Sequence, residues 1–270
     1  MSFTMENGVL KKYIEEEGVT SVSVPASVTV IGKKAFAGCQ LTAVELPEGL
    51  TGIEDSAFEN CKNLRRAALP QSVTSLGAMT FSGCTSLTEV SLPDDLTKIE
   101  ASTFAGCTNL RKVNLPEHLT AIDNVAFFRC VGLTQVKLPA GISTVSWSCW
   151  KGCTGLTQVI LPDSVTAIAD RAFEGCTHLE RLVLSPNVTK IGASAFANCI
   201  GLEEAELPEQ LTELGKNVFQ GCRRLRRITV PAGVAELPAG FAESCEALNQ
   251  VTLSDGLKRS AHPHLPAARP

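Results

Sequence analysis

A repeat solenoid, in which short strands stack coil upon coil, is the fold class that the sequence predicts. Three observations carry that prediction. Cys39, Cys61, Cys84, Cys107, Cys130, Cys153, Cys176, Cys199, Cys222 and Cys245 recur every 23 residues after a first step of 22. An aromatic stands three residues ahead of each: Phe36, Phe58, Phe81, Phe104, Phe127, Trp150, Phe173, Phe196 and Phe219, with Phe241 displaced by one. After each cysteine come a Leu, an alternating apolar pair and usually Pro, as in LTEVSLP (Leu87 to Pro93). Units that touch only their neighbours cannot bury a core alone, so the chain reads as one elongated domain.

The elements follow in order. In FTMENGVLKKY (Phe3 to Tyr13), Asn7-Gly8 separates two strand-like arms. This signals a type I′ hairpin, expected to cap the stack over residues 1–20. Residues 21–257 hold about ten 23-residue units. In each, the V-x-L alternation predicts one short strand, and Pro removes a backbone donor and ends it. A second apolar pair spaced by three, such as Val165 and Ile168 or Leu211 and Leu214, predicts a short extended or helical-turn segment closing the coil. The 22-residue first step reflects one residue missing from the loop at CQL (Cys39 to Leu41). Past Leu253 the pattern decays into SDGLKRSAHPHLPAARP. Its Pro and basic content predicts a flexible tail over 258–270 and an open edge on the last strand.

The consensus C-x-x-L-x-x-V-x-L-P-x-x-V-T-x-I-x-x-x-A-F-x-G, running from about Ser21 to Leu253, resembles the BspA-type (Treponema-type) leucine-rich repeat of bacteria and some protists. The resemblance implies a leucine-rich-repeat right-handed superhelix. Its parallel β-sheet would lie on the concave face, and short extended or helical-turn segments on the convex face. It also implies protein recognition or adhesion, and no catalysis.

A net charge of −4 and a pI near 5.7 give no electrostatic reason to approach nucleic acid or an anionic membrane. No apolar run reaches the roughly 18 residues of a spanning helix, and MSFTMENGVLKKYIEEEG lacks an apolar signal region. A chain starting natively at Met1 is therefore expected in the cytoplasm; a signal segment removed ahead of it would place the protein at the cell surface.

The chemistry-bearing residues point away from catalysis. Zinc sites need closely spaced ligand pairs such as C-x-x-C, and none is present. One cysteine per coil predicts a ladder of small buried hydrophobes beside the aromatic column. Cys149 lies outside the series, in a column held elsewhere by Ala35, Ala57, Ala126, Ala172 and Ala195. It reads as packing that accompanies Trp150, against a metal or redox pair with Cys153. His118 and His178 fall in separate loops without a partnered nucleophile, and His262 and His264 form an H-x-H near the end. No catalytic residue, cofactor or metal follows from these. The run CRRLRR (Cys222 to Arg227) reads as a solvated rim, because nucleic-acid grooves interleave aromatics with their cations.

Recognition is expected in the outward columns of the V-x-L strands, a grid anticipated to be continuous. There Ile160 and Val183 form an apolar pair framed by Lys137, Gln158, Arg181 and Glu206, the anatomy of an apolar centre with a polar rim. The rival site is a convex patch of two exposed aromatics, Trp147 and Phe128. Three functions follow: a protein-interaction scaffold, an adhesin module of a secreted or surface protein, and a thiol-based metal or redox protein. Homo-oligomerisation through the C-terminal edge or the convex aromatics belongs with the first.

Overall fold

The structure is a computed structural model that describes residues 2–253, so 254–270, with His262, His264 and the expected tail, lie outside the described residues. These residues form two compact units, Met1–Leu133 and Thr134–Pro270. Each unit is a stack of parallel-strand coils. No helix occurs among the described residues, and none is long and apolar enough to cross a membrane.

From Ser21–Ser23 to Glu204–Glu206 each V-x-L strand is followed by a second strand in its coil, whereas none follows Arg227–Val230 before Gln250–Leu253. In the second unit, the V-x-L strands include Gln135–Lys137, Gln158–Ile160, Arg181–Val183, Glu204–Glu206, Arg227–Val230 and Gln250–Leu253. The second member of the second apolar pair closes the two-residue strands Thr144–Val145, Ala167–Ile168, Lys190–Ile191 and Glu213–Leu214, joined in parallel. A threonine before this second strand accounts for the extra ladder. Thr166 and Thr189 each donate both the amide and the hydroxyl to the carbonyl of the preceding coil, Ser143 and Thr166 respectively. The β-branched side chain therefore ties two coils together where a helical turn would have left those groups to water.

Strands Ser2–Glu6 and Val9–Ile14 form an antiparallel hairpin whose Asn7 and Gly8 have φ of 50° and 78°. Positive φ at both central residues defines the I′ turn that Asn-Gly favours. The hairpin covers the first coil by pairing Val9–Leu10 with Val30–Ile31, and it extends the aromatic column too. Phe3 lies against Tyr13 at 5.6 Å, and Tyr13 stacks on Phe36 at 5.3 Å.

From Phe36 to Phe127 the rings lie 5.0–5.7 Å apart, tilted by no more than 16°. In the second unit, Trp150, Phe173, Phe196 and Phe219 follow at 5.5–5.8 Å. These are the offset stacks that ring quadrupoles favour. Phe241, displaced by one residue in the sequence, meets Phe219 edge-on at 86°. A one-residue shift changes the direction of the side chain, and parallel stacking ends there.

The turn bearing the ring alternates right- and left-handed backbone. Two residues before the aromatic, Lys34, Ser56, Met79, Ser102, Val125, Ser148, Arg171, Ser194 and Asn217 have φ between 49° and 59°. Alternation aims successive amides at the next coil, as in Lys34, Phe36 and Gly38 donating to the carbonyls of Asp55, Ala57 and Glu59. The cost falls on L-residues, and most on β-branched Val125 at φ 53°. Val125→Asn is expected to raise the unfolding free energy by about 1 kcal/mol, since Asn tolerates this region. Denaturant unfolding checks this, and a loss of stability would show that contacts of the half-buried Val125 outweigh its strain.

The Cys column completes the core. Cys61, Cys84, Cys107 and Cys130 direct their Sγ at the carbonyl oxygens of Phe36, Phe58, Phe81 and Phe104, at 3.0–3.1 Å. Cys176, Cys199, Cys222 and Cys245 do the same to Trp150, Phe173, Phe196 and Phe219, at 3.1–3.3 Å. The ladder of small hydrophobes is thus also a ladder of weak donors. Each thiol joins one coil to the aromatic residue of the coil before it.

Candidate interaction surface

Alternation sets which side chains face out of the V-x-L strands. Val136 and Val159 point into the core, so Gln135, Lys137, Gln158 and Ile160 point outward. Parallel register places Lys137 beside Ile160 and Ile160 beside Val183, with Gln158 beside Arg181. Ile160 is 48% and Val183 38% exposed. Two β-branched apolar side chains therefore stand next to each other in solvent, with Lys137 beside Ile160 and Arg181 two residues before Val183 on the same strand.

Glu206 stands across a break in the ladder, where it lines a cleft together with Val183. The outward grid is not continuous, because strands 135–137, 158–160 and 181–183 form one hydrogen-bonded group and strands 204–206, 227–230 and 250–253 another. In the first unit a similar interruption separates Ala43–Glu45 from Arg66–Ala68. Both interruptions adjoin a coil whose inward strand residue is Ala, at Ala67 and Ala205, where other coils hold Val, Leu or Ile. At the second seam a cleft of about 720 Å³ opens, lined among others by Glu180, Arg181, Val183, Glu204, Glu206 and Glu209. Its acidic rim was not anticipated. The sequence signals for it were Ala205 and the pair Ser185-Pro186, which displaces the usual Pro by one position.

On the far side of the coils, Trp147 is 45% exposed, in the second unit. Phe128, in the first unit, is only half-buried rather than exposed, because the Arg129 guanidinium carbon sits 5.9 Å from its ring centre. The cation lies over the ring, a cation–π contact at the edge of its range. The arginine run is also engaged. Arg224 and Arg227 pair with Glu203 and Glu204, and Arg223 with Glu246 at 3.5 Å.

All eleven cysteines are unbridged, and every one except half-buried Cys245 is buried. Cys149 and Cys153 are both 0% exposed. Among the described residues, no group of three or more His, Cys, Asp and Glu is placed to hold a metal ion. Burial, with Cys61 nearby, pushes the Cys39 thiol up to about 12, and burial alone raises Cys107 to about 12. Cys245 rises to about 11, again through burial. Reactivity belongs to the thiolate, so these sulfurs are disarmed at neutral pH. The folded state holds them neutral; their stabilisation is complete below the ordinary value of 9.0 and is lost as pH climbs toward the folded values. Two results are expected: a thermal midpoint that falls between pH 9 and pH 11, and thiols that react with a disulfide reagent at pH 8 only on unfolding. Rapid labelling of the native chain would place the column in solvent.

A model of the BspA type leucine rich repeat region matches residues 11–134 and 120–249, as six copies. The chain belongs to this leucine-rich repeat family. A leucine-rich repeat protein from Bacteroides ovatus is 30% identical, superimposes with a TM-score of 0.86, and is matched over 93% of this chain and 68% of its own. The pneumococcal vaccine antigen PcpA, 21% identical with a TM-score of 0.64 over 90% of this chain and 72% of its own, shares the fold. No curated protein matches the sequence. This BspA-type chain is therefore a leucine-rich-repeat solenoid, of a family whose repeats serve generally as non-enzymatic scaffolds usable for protein interaction.

Proposed function

We propose that this leucine-rich repeat protein is a non-enzymatic interaction module that binds a protein partner through the outward face of its V-x-L strands. The observation that carries the reading is the pair Ile160 and Val183, in direct register and exposed. Exposed side chains of this size are few, and here two are adjacent on a rigid sheet. An apolar centre inside a ring of polar groups is how binding surfaces concentrate their energy. Lys137, Gln158 and Arg181 surround the pair and tune partner choice and association rate more than affinity. The buried, neutral thiols support packing over redox chemistry, and exposed Trp147 marks the competing surface.

Photo-crosslinking separates the two surfaces. Benzoylphenylalanine at position 160 is expected to trap a discrete partner from source-cell proteins. Changing Ile160 and Val183 together to Ser is expected to weaken capture at least about tenfold, the loss of two buried aliphatic side chains. Crosslinks arising only from position 147, with the Ile160/Val183 variant folded and still binding, would overturn the strand-face reading.

A further inference from the structure

We infer that the seam between strands Arg181–Val183 and Glu204–Glu206 is a docking cleft for an extended, lysine- or arginine-bearing segment of a partner protein. The inference rests on the strand-face reading and sharpens it. Three features of the seam converge. The two strands belong to separate hydrogen-bonded groups, so backbone groups along the seam lack the ladder that occupies them elsewhere. The cleft of about 720 Å³ has an apolar floor at buried Leu207 and half-buried Leu182, Leu184 and Pro208, and exposed Pro186 also lines it. It is also continuous with the exposed Val183 and Ile160.

Charge decides the occupant. Four glutamates and a single arginine line the cleft. Glu204 is engaged by Arg227, whereas Glu180, Glu206 and Glu209 enter no ion pair among the described residues. Other carboxylates of the same unit do have a cation from an adjacent coil, as Glu213 has Lys190 at 2.8 Å and Glu174 has Lys151 at 2.9 Å. Three carboxylates around an apolar floor offer cationic side chains their opposite charge while an aliphatic residue between them settles on the leucines. An extended segment presents this pattern naturally, because alternate residues point the same way. An acidic segment would meet repulsion from every side of the cleft except Arg181.

The test uses the full chain and two synthetic peptides, one alternating Lys and Val and one alternating Glu and Val, followed by fluorescence anisotropy. The Lys-Val peptide is expected to bind, to weaken with added salt, and to lose at least about tenfold in affinity to Glu206→Lys/Glu209→Lys. A control reversing Glu48 and Glu117, exposed carboxylates of the first unit, is expected to bind as the wild type does. Equal binding to both reversals would mean diffuse attraction and overturn the cleft, as would equal binding of the Glu-Val peptide. The chain's own residues 254–270 carry Lys258, Arg259 and Arg269, making them the rival occupant. Should Lys258→Glu/Arg259→Glu raise peptide affinity tenfold, the cleft belongs to that segment and a partner occupant is overturned. Crosslinking at position 160 reports on the strand face independently, so either idea can fail while the other stands.

Discussion

Phe104→Ala is expected to lower the unfolding free energy by about 3–5 kcal/mol. The ring is fully buried, and it stacks between Phe81 at 5.7 Å and Phe127 at 5.3 Å. Collapse around the missing ring is blocked, because backbone bonds on both sides fix the distance between coils. The Phe104 amide donates to Ala126 at 2.8 Å and that of Phe81 to Thr103 at 2.8 Å. The carbonyl of Phe104 also accepts both the Cys107 amide and the Cys130 thiol, so a shift of this residue would disturb its neighbours. In a nearest-neighbour stack, weakening an interior interface uncouples the two sides. Unfolding followed by circular dichroism and tryptophan fluorescence should then cease to coincide, since both tryptophans lie beyond the altered coil in sequence. A loss below about 1 kcal/mol would remove this column from the core.

Periodicity made the stack legible because every coil solves the same packing problem with the same residue types. Aromatic, cysteine and leucine columns were therefore readable as core, and Asn7-Gly8 as a turn. What escaped has a physical cause in each case. Cysteine resembles a small hydrophobe in composition, and its role as a donor depends on a carbonyl brought to 3.0–3.3 Å by the neighbouring coil. The second strand was hidden because two residues are too few to show alternation. The seam was hidden because the apolar repeat columns run through it unbroken, and only the pairing of strands shows where one hydrogen-bonded group ends. Of the site, Ile160 and Val183 were legible as outward apolar residues, whereas the cleft beside them needed the break in the ladder. The half-burial of Phe128 was not legible, because aromatic identity says nothing of how neighbouring side chains lie against the ring.

Gly215→Ala is expected to cost about 3 kcal/mol, a large effect for one methyl group. A Cβ on Gly215 would stand 2.3 Å from the amide nitrogen of Ala193 and 2.5 Å from the carbonyl carbon of Gly192. Both obstacles are backbone, so no rotamer change relieves them. The same contact repeats one coil earlier, where a Cβ on Gly192 would meet the Asp170 amide nitrogen at 2.5 Å. Gly215 and Gly192 also donate to Ile191 and Ile168 at 2.8 Å, a bond that Ala169 makes to Val145 at the same length, so the requirement at Gly215 is set by the backbone it meets in the preceding coil and not by that bond. Other coils carry Glu54, Glu100 or Ala169 at this position, which conceals the requirement from a reading of the column alone. Gly49→Ala is the internal control: its added Cβ would meet nothing within 4 Å, and its effect should stay within about 0.5 kcal/mol. Urea midpoints for the two variants decide the matter. Equal midpoints would mean that the coils separate at Gly215 without cost, and that close backbone approach at this column contributes nothing to holding the stack together.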